Sequence, residues 1–198
     1  MPESRIPAIL ITGATGAGKT SLVRRLLSQR PGDERWAVLV NDFGNATLDD
    51  VRSGDSNVTV RDVAGCICCT AQVSLRIALV SLLREARPQR LIIEASSAAV
   101  PAALVQVLSQ AGLAESVEFR QTVCVVEPRQ IADARYASNE VYREQLSAAD
   151  TIVFSGNDAD MLAAREAVER VRVTPARYIE ALTVDTSKSQ NGFWRSPE

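Results

Sequence analysis

Gly13-Ala14-Thr15-Gly16-Ala17-Gly18-Lys19-Thr20 is the stretch that decides how this chain is read. It satisfies the pattern G-x-x-x-x-G-K-[ST] at every fixed position. The flanks agree with it. Ile9 to Thr12 is a buried strand by composition, and Thr20 to Gln29 carries Leu22, Val23, Leu26 and Leu27 at helical spacing. A strand, a glycine loop and a helix in that order form a cradle for phosphate. Glycines let successive backbone N–H groups turn toward phosphate oxygens, with the helix N-terminus behind them. Lys19 is then the residue that reaches the β- and γ-phosphates, and Thr20 the hydroxyl that holds Mg²⁺. Ser21 completes the candidate nucleotide-binding stretch from Gly13 onward. A glycine-rich turn with a surface lysine is the bland alternative, and the strand–loop–helix context argues against it.

Outward from the loop, short β-branched runs alternate with helical patterns. Strands are expected at Trp36–Val40, Val58–Val63, Leu91–Glu94, Thr122–Val126, Thr151–Phe154 and Arg177–Thr183. The Val58 run alternates apolar with polar, as a half-exposed or edge strand does. Helices are expected at Gln72–Ala86, Val100–Leu113, Ile131–Leu146 (broken) and Asp158–Val171. This alternation predicts an α/β fold, a three-layer P-loop NTPase with a mainly parallel central sheet flanked by helices. Ligands of such sheets bind beyond the carboxyl ends of the strands, where every motif of this sequence falls. Residues 1–184 read as one domain. The polar, Gly/Pro-punctuated stretch 185–198 reads as a loose tail, with Trp194 and Phe193 expected to pack back onto the domain.

Composition narrows the chemistry. The chain has 198 residues, with 22 Lys and Arg against 24 Asp and Glu, and no histidine. Near-cancelling charge disfavours a nucleic-acid surface. Without histidine there is no Ser-His-Asp triad, no Cys-His dyad and no His-liganded metal. No stretch has the roughly 20 apolar residues a bilayer requires, so no membrane association is expected. Of four cysteines, Cys66, Cys68 and Cys69 cluster. That is a poor disulfide framework and reads better as a thiolate site in a reducing cytoplasm. Thiolates take soft or borderline ions such as Zn²⁺, and an incomplete shell suits a transient carrier. The other reading, cysteines as small buried hydrophobes, applies best to Cys124 within its apolar strand.

Taken together, the phosphate loop and Gly65-Cys66-Ile67-Cys68-Cys69 resemble the CobW-like metallochaperone GTPases, relatives of UreG and HypB. The resemblance runs from the first strand to about Asp158. It implies GTP hydrolysis coupled to delivery of a metal, zinc or cobalt, to a client protein. It also implies GTP, Mg²⁺ and Zn²⁺ or Co²⁺ as cofactors, and leaves open a nucleotide-dependent homodimer. Residue by residue, Asn41-Asp42-Phe43-Gly44 is similar to the family's N-E-F-G switch segment, with Asp42 approaching Mg²⁺ or its waters. Leu91 to Glu94 looks like the Walker B strand, with Glu94 acting near Mg²⁺ or the attacking water; a solvent-facing strand-end carboxylate is the other reading. Lys19, Glu94 and Asp42 are thus the candidate catalytic residues.

The departures are as informative. The family's E-x-x-G places a glycine where this chain has Ser97, and Asn45 stands where the family continues with a second Glu. The guanine-reading N-K-x-D aligns with Ser155-Gly156-Asn157-Asp158, which keeps only the carboxylate. Lost hydrogen-bonding groups cost discrimination, about 1–3 kcal/mol each. Asp158 reads equally as a base reader or as a helix N-cap. The length leaves room for about the nucleotide domain, without the family's usual C-terminal domain. Two functions compete: a slow Mg²⁺-dependent GTPase gating metal transfer, and a weakly hydrolysing scaffold with relaxed base choice. A small-molecule kinase is a weaker third, since its chemistry has no use for C-x-C-C.

Overall fold

The structure, a computed structural model, describes residues 5–41, 48, 55–63, 71–156, 161–172, 175–180 and 194. The expected alternation is present. Strand β1 (Ile6–Gly13) leads through the loop into α1 (Lys19–Ser28) and then β2 (Trp36–Asn41), β3 (Val58–Asp62) and α2 (Ala71–Ala86). After these come β4 (Arg90–Ala95), α3 (Pro101–Leu108) and β5 (Val117–Val126), then three short helices, α4 (Pro128–Ala132), α5 (Ala134–Ala137) and α6 (Glu140–Ala148). The chain continues through β6 (Thr151–Phe154), α7 (Met161–Val171) and β7 (Arg177–Glu180). Among the described residues the strands form one seven-stranded sheet, ordered β3-β2-β4-β1-β5-β6-β7. Every pairing is parallel. All strands therefore end at the same edge of the sheet.

Two apolar clusters hold helices to the sheet. Alternation along the strands divides them: Ile9, Ile11, Val38 and Ile92 join one cluster, and Ala8, Leu10, Leu39 and Leu91 the other. The first takes Leu22, Val23 and Leu26 of α1 and Ala164 and Val168 of α7; the second takes Leu75, Leu79 and Leu82 of α2 and Leu104 of α3. Strands with side chains buried both ways read as continuous apolar runs, which is why β1, β2 and β4 were legible. The alternating Val58 run is indeed an edge strand, β3.

Several boundaries differ from expectation. Helix α3 stops at Leu108, short of Leu113, and turns occupy the interval to β5. Gly112 there has φ +87°, a left-handed conformation that no helix continues through. Strand β5 starts five residues early, at Val117. Its opening residues mix Val117 and Phe119 with Glu118, Arg120 and Gln121, and Arg120 is skipped in the pairing with β1, where Ala8 faces Phe119 and Ile9 faces Gln121. Polar residues and a bulge hid this half of the strand. The broken helix is real: Asp133 and Asn139 each cap the helix that follows, accepting from the backbone of Arg135 and Tyr142. Trp194 packs back, as expected, against Trp36 with ring centroids 5.2 Å apart. No helix among the described residues is long and apolar enough to cross a membrane.

Candidate functional site: the phosphate loop at the carboxyl edge

The loop after β1 is held in a shape that only glycine permits. Gly13 has φ +139°, and a Cβ there would lie 2.4 Å from the carbonyl oxygen of Val125 on the neighbouring strand. Gly16 and Gly18 have φ +76° and +96°. Ala14 and Ala17 are buried, while Thr15 and Gly16 are exposed at the crest. Gly18 caps α1 and has no side chain to accept from the first-turn N–H groups. Those amides form a helix N-terminus suited to an anion. Ser21 lies exposed in the same turn.

Lys19 is only 4% exposed. Its ammonium donates to the carbonyls of Gly13 and Ala14, both at 3.2 Å, so it curls back over the loop. Thr20 donates its hydroxyl proton to Glu94 Oε1 at 2.5 Å. Glu94 is fully buried, flanked on the sheet by Ile11 and Val40. This removes the solvent-facing reading of that carboxylate. A buried carboxylate hydrogen-bonded to the loop hydroxyl is a pair of hard oxygen donors, the type Mg²⁺ takes.

Further contacts that the sequence did not reveal brace the loop. Thr15 donates to Ser97 Oγ at 2.8 Å, and its carbonyl accepts from Gln130 Nε2 at 2.8 Å. Gln145 on α6 donates to the carbonyls of Ser97 and Ala99 at 3.1 and 2.8 Å. Ser155, after β6, donates to the Ala17 carbonyl at 2.6 Å, and its Cβ would lie 3.3 Å from a Cβ on Gly18. The serine at the first position of the altered base motif therefore still ties that segment to the phosphate loop. No motif marks Gln130 or Gln145, because their partners are backbone carbonyls more than 40 residues away.

Not every predicted site residue can be placed. Asp42, the cysteines Cys66, Cys68 and Cys69, and Asp158 lie outside the described residues. Their anchors do not. Asn41 ends β2 opposite Ala95, one step beyond Glu94, and its Nδ2 donates to the Val63 carbonyl at 3.1 Å. Asp42 thus follows β2, the strand beside Glu94, and the cysteines follow β3, the next strand out. Among the described residues no group of three His, Cys, Asp or Glu could hold a metal ion. Cys124 is fully buried in β5, and burial pushes its thiol up to about 12. This matches its reading as a small hydrophobe.

Comparison with known proteins agrees with this geometry. The model of the CobW/HypB/UreG nucleotide-binding domain family matches residues 7–182. The zinc chaperone YeiR of Escherichia coli (strain K12) is 36% identical over 162 residues, covering 81% of this chain and 49% of its own length. The zinc chaperone CobW of Sinorhizobium sp is 32% identical over 185 residues, covering 79% of this chain and 52% of its own. The chain thus spans about half the length of these curated relatives. In fold it resembles the zinc-bound YjiA GTPase from E. coli, with a TM-score of 0.62 and 23% identity over 85% of this chain and 54% of that one.

Proposed function

Because the chain belongs to the CobW/HypB/UreG nucleotide-binding domain family, we propose that it is a Mg²⁺-dependent GTPase whose nucleotide state governs binding and delivery of a transition metal, zinc or cobalt. The observation that carries the reading is the Thr20–Glu94 hydrogen bond of 2.5 Å beside the curled Lys19. The loop amides and the first turn of α1 receive the phosphates, and Lys19 swings from the Gly13 and Ala14 carbonyls to the β- and γ-phosphates. Thr20 and Glu94, with Asp42 from the adjoining segment, are the residues that hold Mg²⁺. The ion's contribution is to neutralise charge on the phosphate oxygens. Glu94 and the Ser97 backbone N–H flank the place from which water attacks. Hydrolysis then rests on positioning and electrostatics rather than covalent chemistry. Asp158 reads the base.

The cargo metal is held by Cys66, Cys68 and Cys69, completed by water, a carboxylate or the receiving protein. Asp42 follows β2 and the cysteines follow β3, two strands paired side by side that end at one edge, and this proximity is the route by which a γ-phosphate that draws in Asp42 reaches the thiolates. A receiving client protein is the implied partner. Ser97 favours a second reading. Its hydroxyl accepts from Thr15, which adds bulk and a bond where the family has glycine, and a slow or weakly hydrolysing scaffold fits that change.

Phosphate release from GTP with Mg²⁺ and Zn²⁺ or Co²⁺ tests the first reading. Lys19→Ala is expected to lower it about 10²–10³-fold, the scale of losing one preorganised charge donor. Release equal to that of Lys19→Ala, together with tight GTP binding, supports the scaffold instead. Cys66→Ser and Cys68→Ser are expected to lose metal while keeping nucleotide. Wild-type zinc and cobalt affinity in both variants would remove the delivery reading. Parallel titrations with ATP report base choice.

A further inference from the structure

Helix α2 is apolar on two sides. Leu75, Leu79 and Leu82, at most 1% exposed, seat it on the sheet. On the opposite side Val73 and Ile77 are 65% and 64% exposed, and Val80 follows three residues on, half-buried against the edge of the core. Val and Ile gain nothing as exposed helix residues, being weaker helix formers than Ala, Lys or Glu. A second apolar stripe, away from the core and rimmed by polar residues, marks an interaction surface. These side chains floor an open groove of about 810 Å³ whose far wall includes Gln110, in the turn after α3.

Charge says what kind of cover fits. Arg76 and Arg84 line the groove. Arg76 donates to the carbonyl of Ala111, a neutral acceptor that leaves its charge uncompensated. Arg84 forms no ion pair among the described residues. The carboxylate on the groove, Glu85, is bound to Arg61. The result is an apolar seam edged with positive charge. Val73, Ile77, Val80 and Arg84 recur at steps of four, three and four residues, the spacing of a helix that pairs with another helix.

We propose that this groove docks an amphipathic helical segment of a partner protein, with carboxylates beside its apolar seam. A second copy of this chain would bring the same arginines to the seam and be repelled. An anionic membrane is a poorer match, because the seam lacks the Trp, Phe or Leu of interfacial helices. Helix α2 begins two residues after Cys69. Identifying the docked partner as the metal-receiving client rests on the function proposed above; the docking itself does not.

The test is fluorescence anisotropy of a labelled synthetic helix with Leu at its a and d positions and Glu at e and g. A counterpart with Lys at e and g is the control. No nucleotide or metal is present. The Glu peptide is expected to bind at least about tenfold tighter than the Lys peptide. Ile77→Asp, an exposed substitution, is expected to weaken binding at least about tenfold with thermal unfolding unchanged, and Arg84→Glu to reverse the peptide preference. No binding of the Glu peptide, equal binding of both, or indifference to Ile77→Asp overturns the proposal. So does a dimer in sedimentation velocity, or binding to phosphatidylserine vesicles, that Ile77→Asp abolishes; these give the groove to a second copy or to lipid. If the metal reading alone fails, Cys66→Ser and Cys68→Ser keep their metal and the anisotropy results stand.

Discussion

Cys124 stands far in sequence from the cluster at Cys66, Cys68 and Cys69. Sulfur in the middle of β5 has no water to stabilise a thiolate, and burial dominates its shift to about 12. A variant with Cys66, Cys68 and Cys69 replaced by Ser is therefore expected to resist a thiol reagent at pH 8 until it unfolds. Alkylation timed against unfolding in urea checks this, and immediate stoichiometric labelling would contradict the burial. Other single residues matter through the loop they hold. Ser155 is one of them: its hydroxyl reaches the Ala17 carbonyl and ties the segment after β6 to the phosphate loop.

At the scale of elements, the β1–α1 unit works because β5 presses against its glycine. The register sets Gly13 beside Val125, and a methyl group on Gly13 would strike the Val125 carbonyl at 2.4 Å. The φ of +139° adds strain for any L-residue. Gly13→Ala is expected to cost at least about 1–3 kcal/mol. For a domain of this size that lowers Tm by roughly 2–4 °C per kcal/mol. Calorimetry measures it, and an unchanged Tm would mean that β1 and β5 separate easily. GTP affinity should fall with it, since the same bend aims the loop amides. By contrast, α2 is fixed on one side by Leu75, Leu79 and Leu82 and leaves Val73 and Ile77 to solvent, so substitutions there should reach partners without reaching the core.

For the whole molecule, the edge opposite the phosphate loop carries its own lock. Trp36 and Trp194 pack edge to face, and the Arg90 guanidinium lies 4.9 Å from the Trp194 centroid. Glu34 accepts from Arg90 at 2.8 Å and from the Trp36 indole at 2.7 Å. The hydrogen bond from Arg90 is the main cause holding the Glu34 carboxyl below its ordinary 4.5. A carboxyl lowered in the folded state adds stability that is fully present above 4.5 and is lost as pH falls through the folded value. Wild type should thus lose more stability than Glu34→Gln between pH 6 and about pH 3, as read from urea midpoints. Equal losses would show that Glu34 contributes no pH dependence. Much of the molecule was legible from the chain alone. The loop sequence carries its own bend, because positive φ at Gly13, Gly16 and Gly18 is a local demand for glycine; at Gly13 the Val125 carbonyl of β5 adds a tertiary one. The apolar runs of β1, β2 and β4 announce strands buried on both faces, and Leu91 to Glu94 announces the carboxylate at the strand tip. Other features exist only through distant pairing. The opening half of β5 is interrupted by Glu118, Arg120 and Gln121 and is a strand because β1 pairs with it across a bulge. Glu94 is buried because β1 and β2 flank it, and Thr20 meets it because α1 packs on that face. Gln130, Gln145 and Ser155 brace the loop through carbonyls far away in sequence, and a backbone carbonyl leaves no mark on the sequence that must find it.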